Sequence, residues 1–97
     1  MDQHIEPWAR QVAEKVTPEA ASQVLYKVGE HGPAAYPPGN FQNKLIDAML
    51  AADLPNQRRL MSGYPELGGA VYIWRNASGG ADLLREIAER QLTRREV

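Results

Sequence analysis

Prolines mark the points at which helices are expected to begin in this chain, and they limit the length of each helix. Pro7, Pro18, Pro55 and Pro65 each precede a segment whose apolar residues suit a helix. Proline fits the first turn of a helix, where its missing N–H is not needed, but it breaks a helix interior. The sequence therefore predicts an all-α fold, a compact bundle of five or six short helices that forms a single domain over residues 1–97.

Capping residues and apolar spacing place the individual helices. Thr17 is the expected N-cap of the second helix and Asn40 of the third, while Asp53 either ends the third helix or caps the fourth. Segment 70–74 is rich in β-branched and aromatic residues and would suit a strand, but the chain offers no partner strand, so a helix is preferred. The expected helices cover residues 6–16, 18–28, 40–52, 55–62, 65–74 and 81–94.

Large apolar residues on the predicted inner faces define the expected core. Phe41 aligns with Met49 on one face of the third helix. Trp8, Phe41 and one of Tyr72 and Trp74 are expected to be buried, because the last two cannot both face inward on one helix.

The fourth and fifth segments carry further signals. Leu60 and Met61 are expected to be buried in the fourth helix. Gly68 and Gly69 should weaken the fifth helix by roughly 1 kcal/mol each relative to alanine.

Composition narrows the classes of protein that fit this chain. It contains no cysteine, which excludes disulfides, thiolate metal sites and cysteine nucleophiles. The N-terminus has acidic residues and no apolar core of a signal peptide, and the most apolar run, 67–74, is far too short to cross a membrane. We therefore expect a cytoplasmic protein without a membrane partner.

No constellation of residues typical of catalysis or of a cofactor site is found in the sequence. His4 and His31 have no histidine or acidic residue three or four positions further on, so metal-ligand spacing is absent and both are expected to be exposed to solvent. The sequence also lacks a nucleophile elbow and a phosphate loop. The prediction is a protein that is not an enzyme and uses neither a metal nor a cofactor.

Residues 37–66 carry a series of structural signals: a Pro-Gly-x-Phe helix start, an Ala-Asp and Asn turn, a short helix with Arg and Leu, and a Gly-Tyr-Pro stop. This series resembles a pattern in small uncharacterised helical proteins of actinobacterial phages and their hosts. The resemblance implies an accessory or regulatory protein of phage or bacterial type that acts by binding a host or bacterial protein. It implies no catalytic residue.

A surface of aromatic and arginine side chains is the predicted binding site for that protein partner. An exposed tyrosine or tryptophan beside an arginine is typical of the residues that dominate binding energy in protein interfaces. The predicted contact residues are Tyr36, Arg58, Arg59, Tyr72, Trp74 and Arg75.

DNA binding is the alternative function. Segments 40–52 and 55–62 have the lengths of a helix-turn-helix, and Asn56, Gln57, Arg58 and Arg59 stand where a recognition helix places its base readers. Two features weigh against it. The second helix has barely two turns, and eleven basic residues against twelve acidic ones give little attraction for phosphates.

The last helix allows two kinds of packing. Its leucine and isoleucine face could pack on this domain or on a second copy of the chain, so a homodimer through the 81–94 helix is a further expectation. Glu86 and Arg90 are expected to form an ion pair along this helix.

Overall fold

The computed structural model describes residues 5–30 and 32–95, and these form an all-α bundle as predicted. Segment 70–74 is helical, so the strand alternative is wrong. His4 and His31 lie outside the described residues. The six helices of the described residues are α1 (Pro7–Ala13), α2 (Pro18–Lys27), α3 (Asn40–Ala51), α4 (Leu54–Gly63), α5 (Pro65–Asn76) and α6 (Gly80–Arg95).

The prolines lie at the starts of four helices, as predicted. Of the three predicted N-caps, Thr17 and Asp53 are confirmed and Asn40 is not. A proline occupies the first or second position of α1, α2, α4 and α5. The Thr17 hydroxyl accepts a hydrogen bond from the Ala20 N–H, and the Asp53 carboxylate accepts one from the Asn56 N–H, each at 3.1 Å. Asn40, in contrast, is the first residue of α3 and caps nothing, because Gly39 holds the N-cap position.

Helix α5 lies at the centre of the bundle and packs against each of the other five helices. It contributes Val71 and Ile73 to the core, while α2 and α6, which pack closely on each other, contribute Leu25 and Leu84 among others. Helices α4 and α5 run antiparallel on either side of Tyr64. Residue 61 lies against residue 68 near their junction, and residue 57 contacts residue 76 at the far end.

Helix α3 is rotated relative to the prediction. Ile46 and Met49 are its buried residues, and Phe41 is 59% exposed, so the expectation that Phe41 belongs to the core is wrong. The reason is the helical period, because Phe41 lies about 140° around the axis from Ile46. Its ring contacts the ring of Tyr64, which is 44% exposed, at a centroid distance of 6.3 Å.

The apolar face of α6 packs within the chain itself. Leu83, Leu84 and Ile87 are buried within the chain. A dimer through the 81–94 helix could therefore not use these three residues, and before residue 91 it would need the exposed side chains of the helix. The side chains of 91–94 lie outside those that the structure describes, and the dimer stays a prediction. The expected Glu86–Arg90 ion pair is present at 3.4 Å. None of the helices among the described residues is long and apolar enough to span a bilayer.

Candidate functional site

A groove separates α1 from α4. Both helices pack on α5, but they do not pack on each other. The space left between them has a volume of about 520 Å³, within the range of roughly 300–1,000 Å³ that ligand sites occupy. We call this space the α1–α4 groove; its lining residues are Gln11, Val12, Lys15, Arg58, Met61, Ser62 and Pro65.

Two adjacent glycines of α5 bring both walls of the groove close to its floor. A Cβ atom on Gly68 would lie 2.6 Å from the Cα atom of Met61, so the backbone of α4 rests directly on α5 there. A Cβ atom on Gly69 would lie 3.2 Å from Cγ1 of Val12 and 3.1 Å from Cγ2 of Val16. Successive helical residues point about 100° apart. Gly68 therefore contacts α4, and Gly69 contacts Val12 and Val16 on the other side.

A row of side chains runs from α1 across α5 to α4. The rings of Trp8 and Tyr72 meet edge to face at a centroid distance of 5.4 Å and an interplanar angle of 75°, a favourable geometry for aromatic pairs. The Nε of Arg58 donates a long hydrogen bond of 3.4 Å to the Tyr72 hydroxyl. We call these three residues the Trp8–Tyr72–Arg58 row. It joins the groove at Arg58.

Glu6 holds the far end of this row. One of its carboxylate oxygens accepts a hydrogen bond from the Trp8 indole N–H at 3.3 Å, and the other accepts one from the backbone N–H of Ser78 at 2.8 Å. The start of α1 is thereby tied to the turn between α5 and α6. Together these two hydrogen bonds restrict the movement of the indole.

The charges of the groove are not neutralised within the described part of the chain. Four other basic residues lie between 2.6 and 3.4 Å from a carboxylate oxygen: Arg10, Lys27, Arg85 and Arg90. Lys15 and Arg58 have no such partner among residues 5–30 and 32–90, the part of the chain whose side chains the structure describes. They belong to opposite walls of the groove, which Val12, Met61 and Pro65 also line with apolar side chains.

The lining of the groove is mainly apolar and cationic. Among the described lining residues, Ser62 carries the one hydroxyl, and no imidazole or carboxylate accompanies it there to act as a general base. The described residues also contain no group of three histidine, aspartate or glutamate side chains that could hold a metal ion.

The structure brings together only part of the predicted contact surface. Arg58 and Tyr72 are joined by their hydrogen bond, and Arg59 is exposed one position further along α4. Trp74 is half-buried and packs on the core. Tyr36 is half-buried in the loop before α3, and among the described residues it makes no hydrogen bond or ring contact with the others.

Arg75 has a structural role. Its Nη1 donates hydrogen bonds to the carbonyl oxygens of Ala52 and Met49 at 2.6 and 3.2 Å. These oxygens belong to the C-terminal end of α3, where helical carbonyls lack partners within the helix and a cation is favourable. The guanidinium that was predicted to contact a partner therefore secures α3 to α5.

Gln57, one of the four predicted base readers, is buried and does not lie on an exposed face of α4. It is 7% exposed. Its amide nitrogen donates to the Ala52 carbonyl oxygen at 3.0 Å, and its amide oxygen accepts from the Asn76 side chain at 2.9 Å. Asn56 and Arg59 are exposed but bind each other at 3.3 Å. Helix α4 also packs on α5 far more than on α3, unlike the predicted pair.

Several groove residues were not predicted from the sequence. Gln11, Val12 and Lys15 come from the α1 region, more than forty positions before the α4 wall. No spacing rule connects residues so far apart. The one available signal was the Gly68–Gly69 pair, because two glycines inside a helix often mark the close approach of another backbone.

Comparison with protein-family models, with curated proteins and with solved structures found no match to this chain. The fold and the site together define a small all-α bundle that carries a groove with an apolar lining and a cation on each wall.

Proposed function

We propose that this protein is a non-catalytic binding module, an accessory or regulatory protein of phage or bacterial type, that engages a protein partner through the α1–α4 groove and the Trp8–Tyr72–Arg58 row. The observation that carries the proposal is the pair of unneutralised cations, Lys15 and Arg58, on opposite walls of an apolar groove. The resemblance of residues 37–66 to phage and host proteins supports the accessory role.

The composition of the site supports a protein as the partner. Tryptophan, tyrosine, methionine and arginine are enriched in protein interfaces, and the residues that dominate affinity cluster where apolar contact and fixed polar groups meet. Trp8, Tyr72, Arg58 and Met61 provide this combination.

DNA binding by residues 56–59 is less well supported. Gln57 would have to leave two hydrogen bonds and its buried position before it could reach a base edge. The formal net charge of −1 gives little general attraction for a duplex.

A pull-down from bacterial lysate tests the proposal. The tagged chain is incubated with and without nuclease, and the retained proteins are identified by mass spectrometry. Arg58→Ala and Arg59→Ala form a matched pair, because both residues are exposed on α4 but only Arg58 lines the groove. After nuclease treatment, we expect the wild type and Arg59→Ala to retain the same protein partner. Arg58→Ala should not retain it.

Two results would overturn the proposed function. One is recovery of nucleic acid alone, lost when the salt concentration is raised. The other is a protein partner that Arg58→Ala and the wild type retain equally, since the groove would then have no part in binding.

A further inference from the structure

We infer that the α1–α4 groove takes an acidic segment of the partner that also carries an apolar side chain, with one or more carboxylates against Lys15 and Arg58. This inference rests on the proposed function and adds the chemistry of the ligand. It begins from the charges of the described residues, where Lys15, Lys44, Arg58 and Arg59 are the basic side chains that bind neither a carboxylate nor, as Arg75 does, backbone carbonyl groups. Two of these four line the groove.

The state of Arg58 favours a carboxylate. Its Nε donates to Tyr72, while both terminal nitrogens have no hydrogen-bond partner among the described residues. The bond to Tyr72 limits the rotation of the side chain, and the terminal nitrogens of a guanidinium form parallel hydrogen bonds with a planar carboxylate. Lys15 supplies a second positive charge on the opposite wall, so a segment with two acidic residues could satisfy both.

The apolar lining of the groove specifies the remainder of the ligand. Val12, Met61 and Pro65 line the same groove as the two cations and give it apolar surface. An aliphatic or aromatic side chain gains free energy by covering it, and methionine adapts to side chains of different shape. A nucleic acid backbone would satisfy the cations but would leave this surface uncovered. Acidic protein segments with an apolar residue satisfy both.

A charge-reversal experiment tests this chemistry with a displayed library of random peptides as the probe. The full chain, a Lys15→Glu/Arg58→Glu variant and a Lys44→Glu/Arg59→Glu control each select peptides. The control has the same net charge as the variant, but neither Lys44 nor Arg59 lines the groove. All four positions are exposed, and circular dichroism checks that each protein is folded.

We expect the wild type and the control to enrich peptides that combine aspartate or glutamate with a large apolar residue. The groove variant should lose this enrichment and favour basic peptides with the same apolar residue. A synthetic peptide from the wild-type selection should bind Arg58→Ala at least about tenfold more weakly than Arg59→Ala, as loss of a charge-assisted hydrogen bond implies.

The possible failures separate the two proposals. Enrichment without acidic residues, or the same acidic enrichment in the groove variant, overturns the inference about the ligand. If the lysate partner is still lost with Arg58→Ala in that case, protein binding through the groove stands. A duplex oligonucleotide that competes with the selected peptide for the groove would also overturn the inference, because the cations would then serve phosphates.

Discussion

Replacing Gly68 by alanine should destabilise the protein although it improves the helix propensity of α5. The added methyl carbon would lie 2.6 Å from Cα of Met61 and 2.9 Å from its backbone nitrogen. Both are backbone atoms of α4, which cannot rotate away as a side chain would. To restore an ordinary contact of 3.4 Å, α4 must move away from α5 by about 0.8 Å.

The cost of that movement exceeds the gain in propensity. A gap of roughly 0.5–1 Å removes a quarter to a half of the dispersion energy of each affected contact, and α4 rests mainly on α5. Overpacking of this kind typically costs about 1–3 kcal/mol. The higher helix propensity of alanine relative to glycine stabilises α5 by up to about 1 kcal/mol and offsets part of this cost. We expect Gly68→Ala to lower the free energy of unfolding by about 1–2 kcal/mol, and Tm by roughly 4–16 °C for a chain of this size.

Urea denaturation followed by far-UV circular dichroism measures this change, with Gly63→Ala as the matched control. Gly63 is the last residue of α4, and a Cβ atom there would meet nothing within 4 Å apart from its chain neighbours and the backbone of its own helix. The control should therefore be neutral or more stable than the wild type by up to about 1 kcal/mol. If Gly68→Ala proves as stable as Gly63→Ala, the close approach of α4 to α5 at this position is wrong.

Three further substitutions test other parts of the structure by the same measurement. Ser22→Ala should raise the free energy of unfolding by about 1 kcal/mol, because the buried Ser22 hydroxyl has no hydrogen-bond partner among the described residues; a loss would reveal a missing partner. Asp53→Ala should cost about 1 kcal/mol through the lost N-cap, and Asp53→Asn should restore most of it. Phe41→Ser should lower the free energy of unfolding by well under 1 kcal/mol because its ring is exposed, whereas Ile46→Ala should lower it by about 2–5 kcal/mol. Equal losses of stability would mean that Phe41 is a core residue after all.

The helices could be predicted because their signals are local. A proline at the first turn, a threonine or aspartate before it, and apolar residues three and four positions apart all act within one helix. These rules located the six helices and identified the Thr17 and Asp53 caps, although α1 ends at Ala13 and not at the predicted residue 16. They could not fix the rotation of α3, because Phe41 and Ile46 offer two apolar faces and tertiary packing chooses between them.

The site could be predicted only in part because its residues meet through tertiary packing. The sequence predicts that Arg58 and Tyr72 are contact residues, and the structure joins these two by a hydrogen bond. It could not show that Arg75 donates hydrogen bonds to carbonyl oxygens at the end of α3, or that Gln57 is buried and accepts a hydrogen bond from Asn76. A polar residue on a short helix is usually exposed. Gln57 is an exception because α4 packs on α5.

The position of Arg58 depends on the same approach that Gly68 permits. Gly68 and Tyr72 are four residues apart and share one face of α5. The backbone of α4 rests on Gly68, and Arg58 of α4 donates a hydrogen bond to Tyr72. A displacement of about 0.8 Å at Gly68 would stretch a hydrogen bond that already measures 3.4 Å and would release the guanidinium. Gly68→Ala is therefore expected to weaken binding of the selected acidic peptide under conditions where the variant is still folded, although every side chain lining the groove is retained. Gly63→Ala should leave that binding unchanged, and equal affinities of the two variants would mean that Arg58 acts without the support of Tyr72.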